Sequence, residues 1–481
     1  MTGGVPGETL LERLFQHAKS QADSPAYQAA SGSLTYGALA EQVGGLAGTL
    51  HREFAPGSVI ILSCPNQLHF PIAFLGILAA GCAVFPISAE AADAELLTAA
   101  VDADAVAVIG DSRAVELLGP SVRRVIAIEQ LPNGLARTAQ LQSGDLFLQS
   151  SGTTGLPKIV RRCGDSLDAV ARGTAQAVGF RPDDRALMTV PLTHSYGLEH
   201  GVLAPVWAGS CVHLHRGLNL SVILPELNGG GITVFPGVPS TFEMIGSVAE
   251  AGVTMPSLRT AYSAGGPLPR SVFDTFRSRF GIRLAQLYGA TEVGSVTFNA
   301  PDDDFDPASV GLPFRAVSIR VVHPDTNAPL PAGAEGQVLV RAASMFSGYL
   351  HDPADLIDGY FATGDLGRLD PAGRLFITGR IKLLIDVGGL KVNPLEVEAV
   401  LGEHPAVAAC VVVGVKQSET VYRLKAIITP RDPAVPPPPG ELRKFAKSRL
   451  AAYKIPRLFE VRDSLPRSPT GKVLRHLVET T

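Results

Sequence analysis

Residues 58–87 read SVIILSCPNQLHFPIAFLGILAAGCAVFPI, and no Asp, Glu, Lys or Arg occurs between Glu53 and Glu90. Within this uncharged region, residues 70–89 approach the length of a membrane span. Its prolines and glycines, however, divide it into a strand-like run, a short helix, PIAFLGILAA, and a second strand, CAVFPI. Because strand, helix and strand in this order are typical of a buried parallel sheet, we predict an α/β core here and no membrane partner.

The same alternation continues along the chain. Runs rich in Val and Ile occur at residues 58–63, 106–109, 125–128 and 232–235. They alternate with helix-like stretches such as residues 94–101 and 271–280. Past Gly311 short strands with hairpin-like turns predict a β subdomain, and past Gly379 a helix opened by Pro394 and a proline-rich linker indicate a compact α+β unit. We therefore predict an α/β fold with a large N-terminal domain of α/β sheets plus a β subdomain, residues 1–380, and a small mobile α+β C-terminal domain, residues 381–481.

The composition excludes several classes of protein. Among 481 residues, Gly 50 and Pro 37 stay below the share typical of low-complexity chains, and 46% hydrophobic residues indicate a packed core. The formal net charge of −4, without a basic run, disfavours nucleic acid as a partner. The five widely spaced cysteines form no C-x-x-C pair, and the start of the chain does not resemble a signal peptide, so we expect a cytoplasmic protein.

Residues 148–158, LQSSGTTGLPK, follow an apolar run and combine glycines, hydroxyls and one lysine. Glycines let backbone N–H groups approach an anion, hydroxyls donate to its oxygens, and Lys158 adds positive charge. The string is not a Walker A loop, because Pro157 precedes the lysine. It predicts a phosphate-binding loop, with a surface turn rich in Ser, Thr and Gly as the alternative.

Two further strings place polar groups at turns. Residues 288–292, YGATE, offer Tyr288 to stack on a planar base and Glu292 as a Mg²⁺ ligand, with a core tyrosine and a solvated glutamate as the alternative. Residues 362–367, ATGDLG, place Asp365 where its carboxylate could accept hydrogen bonds from a ribose diol or cap the turn.

Together these strings resemble the adenylate-forming superfamily. SSGTTGLPK, YGATE, TGDLG, GRIKLLIDVGGLKVNPLEVE and PRSPTGK occur in the same order, and at similar spacings, as its core motifs. The superfamily includes acyl- and aryl-CoA synthetases, peptide-synthetase adenylation domains and firefly luciferase, and the likeness extends from Leu34 to the end of the chain. The sequence is identified as a member of the branch of AMP-binding ligases that holds the acyl- and aryl-CoA synthetases.

The resemblance implies roles for individual residues. The loop that orients the β- and γ-phosphates of ATP would comprise Ser151, Gly152, Thr153, Thr154, Gly155 and Lys158. The rest of the nucleotide site would comprise Tyr288 against the adenine, Gly265, Gly289, Thr291 at the α-phosphate, and Asp365 with Arg380 at the ribose. Mg²⁺ would be held by Glu292 and Thr154. The catalytic residues would be Lys472, Glu292, Thr154 and His194.

The resemblance also implies that the C-terminal domain swings between two half-reactions. Lys382 matches the hinge, and Lys472 matches the lysine that bridges the carboxylate and the α-phosphate during adenylation. Rotation would then withdraw Lys472 and bring Gly388 and Gly389 to a pantetheine tunnel, where glycines let a thin chain pass; a β-turn is the alternative.

The acyl pocket implied by the resemblance would draw on His194, Gly197, Gly237, Val238, Ser263, Ala264, Gly265 and Gly289. Residues 191–201, PLTHSYGLEHG, contain no Asp where amino-acid-activating domains place the partner of the substrate ammonium. Because a buried ammonium without a counter-charge costs several kcal/mol, an α-amino acid is disfavoured. His194 would form the gate beside the acyl carboxylate, with a packed core histidine as the alternative. We expect an aryl or short- to medium-chain carboxylic acid.

Coenzyme A is the expected thiol, because no carrier domain is present and residues 452–456, AYKIP, resemble the corresponding ligase segment. Residues 414–420, GVKQSET, depart from the usual turn at this place, so loading of a carrier-protein phosphopantetheine by a free-standing enzyme stays an alternative. The sequence leaves the oligomeric state open, a homodimer included.

Two rival classes make different predictions. Residues 261–265, AYSAG, loosely match the nucleophile elbow G-x-S-x-G, so a serine hydrolase with His404 is one rival, although it leaves the five ordered motifs unused. A non-catalytic adenylate sensor would lack Glu292 or Lys472, and both are present. We therefore expect a ligase that uses ATP, Mg²⁺ and coenzyme A.

Overall fold

The computed structural model describes residues 8–131, 143–150, 158–248, 252–300, 305–387, 390–416, 422–467 and 473–479. The chain forms two compact units. The first comprises Met1–Ile319 and Val340–Phe361, and the second comprises Arg320–Leu339 and Ala362–Thr481. The boundary expected at residue 380 differs from this division and stays a prediction.

A nine-stranded sheet organises the first unit. In spatial order its strands are Leu312–Pro313, Gly294–Phe298, Ala285–Ala290, Thr260–Ser263, Val234–Gly237, Arg185–Met188, Cys211–Leu214, Pro25–Ala29 and Gly32–Thr35. The strands from Ala285–Ala290 to Pro25–Ala29 pair in parallel, and the pairs at both margins are antiparallel. The carboxyl ends of the central strands therefore meet at one edge.

A seven-stranded sheet contains the stretch that opened the sequence analysis. In spatial order its strands are Gly348–Tyr349, Ile159–Arg162, Leu146–Gln149, Ala83–Pro86, Val59–Ser63, Ala107–Gly110 and Arg124–Ala127. Residues 58–87 form the strand Val59–Ser63, the helix His69–Ala79 and the strand Ala83–Pro86, with both strands buried along their whole length. The predicted α/β core is confirmed, and within the described ranges no helix combines the length and apolarity needed to cross a bilayer.

Helices cover these sheets. In the first unit they are Leu10–Ser20, Tyr36–Glu53, His69–Ala79, Asp93–Asp102, Ser112–Leu118, Gly164–Val178, Ser195–Leu198, Ala204–Ala208, Leu220–Asn228, Pro239–Val248 and Arg270–Phe280. Short 3₁₀ turns span Gly119–Ser121 and Ile128–Gln130, and a π-helical turn spans Glu199–Leu203. A capping box between Thr9 and Glu12 starts the first helix. A Cβ on Gly76 would lie 2.6 Å from Leu46 Cδ2, so this glycine lets two helices approach closely.

The remaining strands form three smaller sheets. A five-stranded sheet has the order Ser318–Val322, Gly336–Arg341, Tyr360–Leu369 and Leu356–Ile357, with Leu375–Arg380 also paired to Tyr360–Leu369. Ile385–Val387 pairs with Leu390–Val392, and Val407–Lys416, Tyr422–Pro430 and Leu458–Val461 form a three-stranded sheet. The helices Pro394–Gly402, Pro439–Lys447 and Arg475–Glu479 and the 3₁₀ turns Ile381–Leu383 and Ala452–Lys454 complete the second unit. The expected helix at Pro394 is present, and the Asn393 side chain caps it.

A glycine before the strand Leu146–Gln149 offers a test of this packing. A Cβ on Gly144 would lie 1.8 Å from the carbonyl oxygen of Cys82, so Gly144→Ala should lower the free energy of unfolding by about 1–3 kcal/mol or more. The matched control is Gly48→Ala, because Gly48 lies inside the helix Tyr36–Glu53, where alanine should stabilise by about 0.5–1 kcal/mol. Urea unfolding of both variants measures the difference, and equal stabilities would contradict the described packing.

Candidate active site

Five of the residues expected to form the acyl pocket lie at the carboxyl edge of the nine-stranded sheet. Gly237 and Ser263 end adjacent parallel strands, with Val238, Ala264 and Gly265 directly behind them. The Ala264 N–H donates to the Gly237 carbonyl over 3.2 Å, and the Tyr196 hydroxyl donates to the same carbonyl over 3.1 Å. In open α/β sheets this edge is where ligands bind.

Packing explains several of the small residues in this region. A Cβ on Gly197 would lie 2.1 Å from the Pro191 carbonyl oxygen, and one on Gly289 would lie 2.4 Å from that of Gly294. Gly265 differs, because it adopts a φ of +83° and the contact nearest to a Cβ there would be Val238 Cγ1 at 3.8 Å. Among the described residues beyond its two chain neighbours, no other atom comes within 4 Å of that Cβ position.

Lys158 and Glu292 come together through a tyrosine that the sequence reasoning missed. Lys158 Nζ lies 4.4 Å from the centre of the Tyr349 ring, a cation–π distance. The Tyr349 hydroxyl donates to Glu292 Oε1 over 3.3 Å, and the Phe346 N–H donates to the Glu292 carbonyl over 2.7 Å. Burial, and then the charge of Glu292, raise the pKa of Tyr349, which stays a protonated donor. A cation and a carboxylate thus flank one aromatic ring.

Of the other residues predicted for the phosphate loop and its neighbours, some are described by the structure and the rest lie outside the described ranges. Tyr288 lies in the strand Ala285–Ala290, half-buried, and Thr291 lies with Glu292 in the turn between that strand and Gly294–Phe298. His194 precedes the short helix Ser195–Leu198 and is exposed. Outside the described residues lie Ser151, Gly152, Thr153, Thr154, Gly155, Gly388, Gly389 and Lys472.

In the second unit, two predicted ribose-binding residues are paired. Asp365 and Arg380 face each other on adjacent antiparallel strands, and Arg380 Nε lies 2.6 Å from Asp365 Oδ1. The Asp365 side chain is only 4% exposed, and its backbone N–H donates to Thr363 Oγ1. Lys382 is exposed in the turn Ile381–Leu383. The arginine therefore orients the carboxylate through a charge-assisted hydrogen bond.

A buried charge network lies next to the hairpin formed by the strands Ala285–Ala290 and Gly294–Phe298. The sequence did not predict it. Arg162 Nη1 donates to Glu199 Oε1 over 2.7 Å, and the two side chains are 0% and 2% exposed. Ser195 Oγ donates to the same oxygen over 2.9 Å. The other oxygen, Oε2, accepts from the Ser295 N–H at 2.9 Å and from Ser295 Oγ at 2.7 Å. Every donor is thus aimed at one carboxylate.

His200 extends this network to a tyrosine. Its Nε2 lies 3.1 Å from Ser295 Oγ, and its Nδ1 lies 2.6 Å from the Tyr262 hydroxyl. Because Ser295 Oγ donates to Glu199, it accepts from Nε2–H, so Nδ1 accepts from Tyr262. Burial lowers the pKa of His200 to about 4, and the ring is neutral at pH 7.

Two protein-family models match this chain. Residues 14–350 match the family described as AMP-binding enzyme, and residues 396–472 match the AMP-binding enzyme C-terminal domain. The chain belongs to the AMP-binding enzyme family. The expected class, an AMP-forming acid–thiol ligase of the acyl- and aryl-CoA synthetase branch, is confirmed, and so is the fold class.

Named relatives of this AMP-binding enzyme span nearly the whole chain. Probable CoA ligase CCL9 of Humulus lupulus is 28% identical over 455 residues, covering 88% of this chain and 86% of its own. ATP-bound MatB from Rhodopseudomonas palustris superposes with a TM-score of 0.91 at 25% identity, covering 98% of both chains. The o-succinylbenzoate CoA synthetase of Bacillus subtilis, in complex with its acyl-adenylate intermediate, superposes at 0.86 with 25% identity, again covering 98% of both chains.

The hydrolase rival fits this AMP-binding enzyme poorly. Ser263 is buried, and its Oγ has no hydrogen-bond partner among the residues that the structure describes. A nucleophile elbow needs an exposed serine with a histidine base in contact. His404, the histidine named for that triad, lies 3.2 Å from Glu441 through Nε2.

His200 predicts a pH dependence of stability. Its pKa is about 4 when folded and about 6.5 as a free side chain, so below pH 6.5 the unfolded chain takes up a proton that the folded protein excludes. Stability should therefore fall as the pH drops, by on the order of 2 kcal/mol from this residue between about pH 7 and 5.

The measurement is urea unfolding of the wild type and His200→Gln across that range, where the variant should lose less stability on acidification. Asp168, whose pKa burial raises to about 6, titrates with the opposite sign but is present in both proteins and cancels in the comparison. Identical pH profiles would show that His200 is not the buried neutral group described.

Proposed function

We propose that this enzyme activates an aryl or short- to medium-chain carboxylic acid with ATP as an acyl-AMP, and then transfers the acyl group to the thiol of coenzyme A. The observation that carries the proposal is the meeting of Lys158 and Glu292 across Tyr349, beside the sheet edge where the acyl-pocket residues gather. A cation for phosphate and a carboxylate for a metal stand together there.

The chemistry explains this pairing of charges. A carboxylate is a weak nucleophile and repels the triphosphate, so attack at the α-phosphorus needs positive charge and alignment of the reacting atoms. Lys158 supplies charge, and the cation–π contact with Tyr349 restricts where its ammonium group can lie. Lys472, outside the described residues, is proposed to bridge the acid and the α-phosphate.

The residues present fit a divalent cation. Glu292 is part-exposed and offers carboxylate oxygen, the ligand type that Mg²⁺ prefers, while the Tyr349 hydroxyl orients one of its two oxygens. Mg²⁺ bound there with help from Thr154 would neutralise phosphate charge. In the second unit, Asp365, oriented by Arg380, is proposed to accept hydrogen bonds from the ribose hydroxyls.

The buried network supports an acid without an α-ammonium group. Glu199 lies in the segment that follows His194, and its two oxygens already accept from Arg162, Ser195 and Ser295. Because its charge is already paired with Arg162, it does not serve as the counter-charge that a buried substrate ammonium would need. The half-buried ring of Tyr196, whose hydroxyl donates to the Gly237 carbonyl, suits an apolar or aromatic acid.

Coenzyme A is favoured as acceptor over a carrier protein. Probable CoA ligase CCL9 and o-succinylbenzoate CoA synthetase are both named for transfer to CoA. The second unit also contains a cavity lined in part by Arg423, Tyr453 and Arg457, which offers positive charge and an aromatic face to a nucleotide-bearing thiol.

The test is acid-dependent pyrophosphate release from ATP and Mg²⁺ over a panel of aromatic, short-chain and medium-chain carboxylic acids, with and without CoA. We expect release with one class of acid, together with AMP and an acyl-CoA detected by mass spectrometry. Release without a thioester would favour loading of a carrier protein instead. No release with any acid of the panel, or release only when α-amino acids are supplied in their place, would overturn the proposal.

Lys472 predicts a separation of the two half-reactions. Lys472→Ala should lower adenylation by at least about a hundredfold, because it removes the proposed bridging cation, and should spare thioester formation from supplied acyl-AMP. The matched control is Lys447→Ala, since Lys447 is exposed near the end of the helix Pro439–Lys447. Single-turnover assays of each half-reaction measure the effect, and an equal loss in both would refute the assignment.

A further inference from the structure

Three segments that carry proposed site residues converge on one buried carboxylate. Arg162 ends the strand that begins directly after Lys158, Glu199 follows the turn that carries His194, and Ser295 follows the turn that carries Glu292. Glu199 accepts hydrogen bonds from both of the other segments and from its own. Its carboxylate is the point where the three are joined.

The carboxylate also joins the two large sheets. Arg162 belongs to the seven-stranded sheet, whereas Ser295 belongs to the nine-stranded sheet. One carboxylate oxygen accepts from Arg162 and the other from Ser295, so a shift of either strand would break a charge-assisted hydrogen bond. Gly294 lets the hairpin come this close, because a Cβ there would lie 3.0 Å from both Arg162 Nη2 and Glu199 Oε1.

Stability alone does not account for this pair. Burying two charges costs several kcal/mol, and replacing a buried ion pair by apolar side chains is often neutral or stabilising. Among the described residues, Nε and Nη2 of Arg162 are buried without a hydrogen-bond partner, which adds to the cost. The pair instead fixes the positions of its neighbours, because Arg162 Nη1, Ser195 and Ser295 each donate to one defined oxygen of Glu199.

We propose that Arg162 and Glu199 are positioning residues for the adenylation half-reaction, which hold the segments of Lys158, His194 and Glu292 at fixed mutual positions. The inference rests on the proposed function. Neither residue needs to touch a substrate, because alignment of the reacting groups is itself a large part of the rate.

A matched control lies at the amino ends of the strands of the nine-stranded sheet, opposite the carboxyl ends that carry the proposed site. Asp184 is also buried, 3% exposed, and it accepts from Arg259 Nη2, the Arg181 N–H and Thr233 Oγ1, all at 2.7 Å. These residues precede parallel strands, so this network lies at the amino ends, away from the carboxyl edge. Loss of its charge should affect stability alone.

The experiment compares Glu199→Gln, Arg162→Met, the double variant Arg162→Met/Glu199→Met and Asp184→Asn. The readouts are the thermal midpoint and the kcat and KM for ATP of acid-dependent ATP–pyrophosphate exchange. Each single variant of the pair should lower both the midpoint and kcat, because it leaves one charge buried alone. The double variant should recover a midpoint within about 3 °C of the wild type, yet keep kcat at least about tenfold low with little change in KM.

Asp184→Asn should lower the midpoint while kcat stays within about twofold of the wild type. A double variant with wild-type kcat, or an Asp184→Asn variant with an equal loss of kcat, would show that the pair only stabilises the fold. Absence of exchange in the wild type with every acid would instead overturn the proposed function, and this inference with it.

A milder variant decides the question if the double variant does not fold. Ser195→Ala removes one donor to Glu199 Oε1 from a half-buried position and should leave the midpoint nearly unchanged. It should lower kcat at least about threefold, with Ser195→Thr restoring part of the loss because the hydroxyl is kept. Wild-type kcat in Ser195→Ala would overturn the positioning role.

Discussion

The buried carboxylate of Glu199 ties the two large sheets of the first unit together, because it accepts hydrogen bonds from both. An ionised carboxylate without partners in this interior would be far too costly, so the strand that ends at Arg162 and the hairpin that holds Ser295 must both approach it. These hydrogen bonds hold Arg162 of the seven-stranded sheet and Ser295 of the nine-stranded sheet at a fixed separation, next to the turn that carries Glu292. Glycine suits position 294, where φ is +73° and a Cβ would lie 2.8 Å from Val170 and 3.0 Å from both members of the pair.

The chemistry at this edge follows from the same arrangement. Parallel strands bring Gly237, Ser263 and the Tyr288 segment to one side. Glu292 lies in the turn after the Tyr288 strand, and Lys158 directly precedes the strand Ile159–Arg162 of the other large sheet; the two meet at Tyr349. The opposite edge contains Asp184, which pairs with Arg259 at the amino ends of the strands. The proposed site and this second ion pair therefore lie at opposite ends of the same strands.

Local pattern was sufficient to predict much of the fold. The strand, helix and strand within residues 58–87 were predicted because apolar runs and their Pro and Gly boundaries are adjacent in sequence. The resemblance to known motifs placed Asp365 and Arg380 at one site, and the structure pairs the two side chains. Glu199 was missed, although a Glu and a His within the apolar stretch 197–208 signal an internal partner. The identity of that partner, Arg162, depends on tertiary packing. Tyr349 carried no sequence signal of its own.

In the proposed adenylation, a carboxylate oxygen of the acid attacks the α-phosphorus of ATP. A substrate acid labelled with ¹⁸O in its carboxylate tests this step directly, by mass spectrometry of the AMP released on complete turnover with CoA. We expect one labelled oxygen in the phosphate of AMP, because the acyl–oxygen bond of the acyl-AMP breaks when the thiol attacks. Unlabelled AMP, or label found in inorganic phosphate, would contradict it.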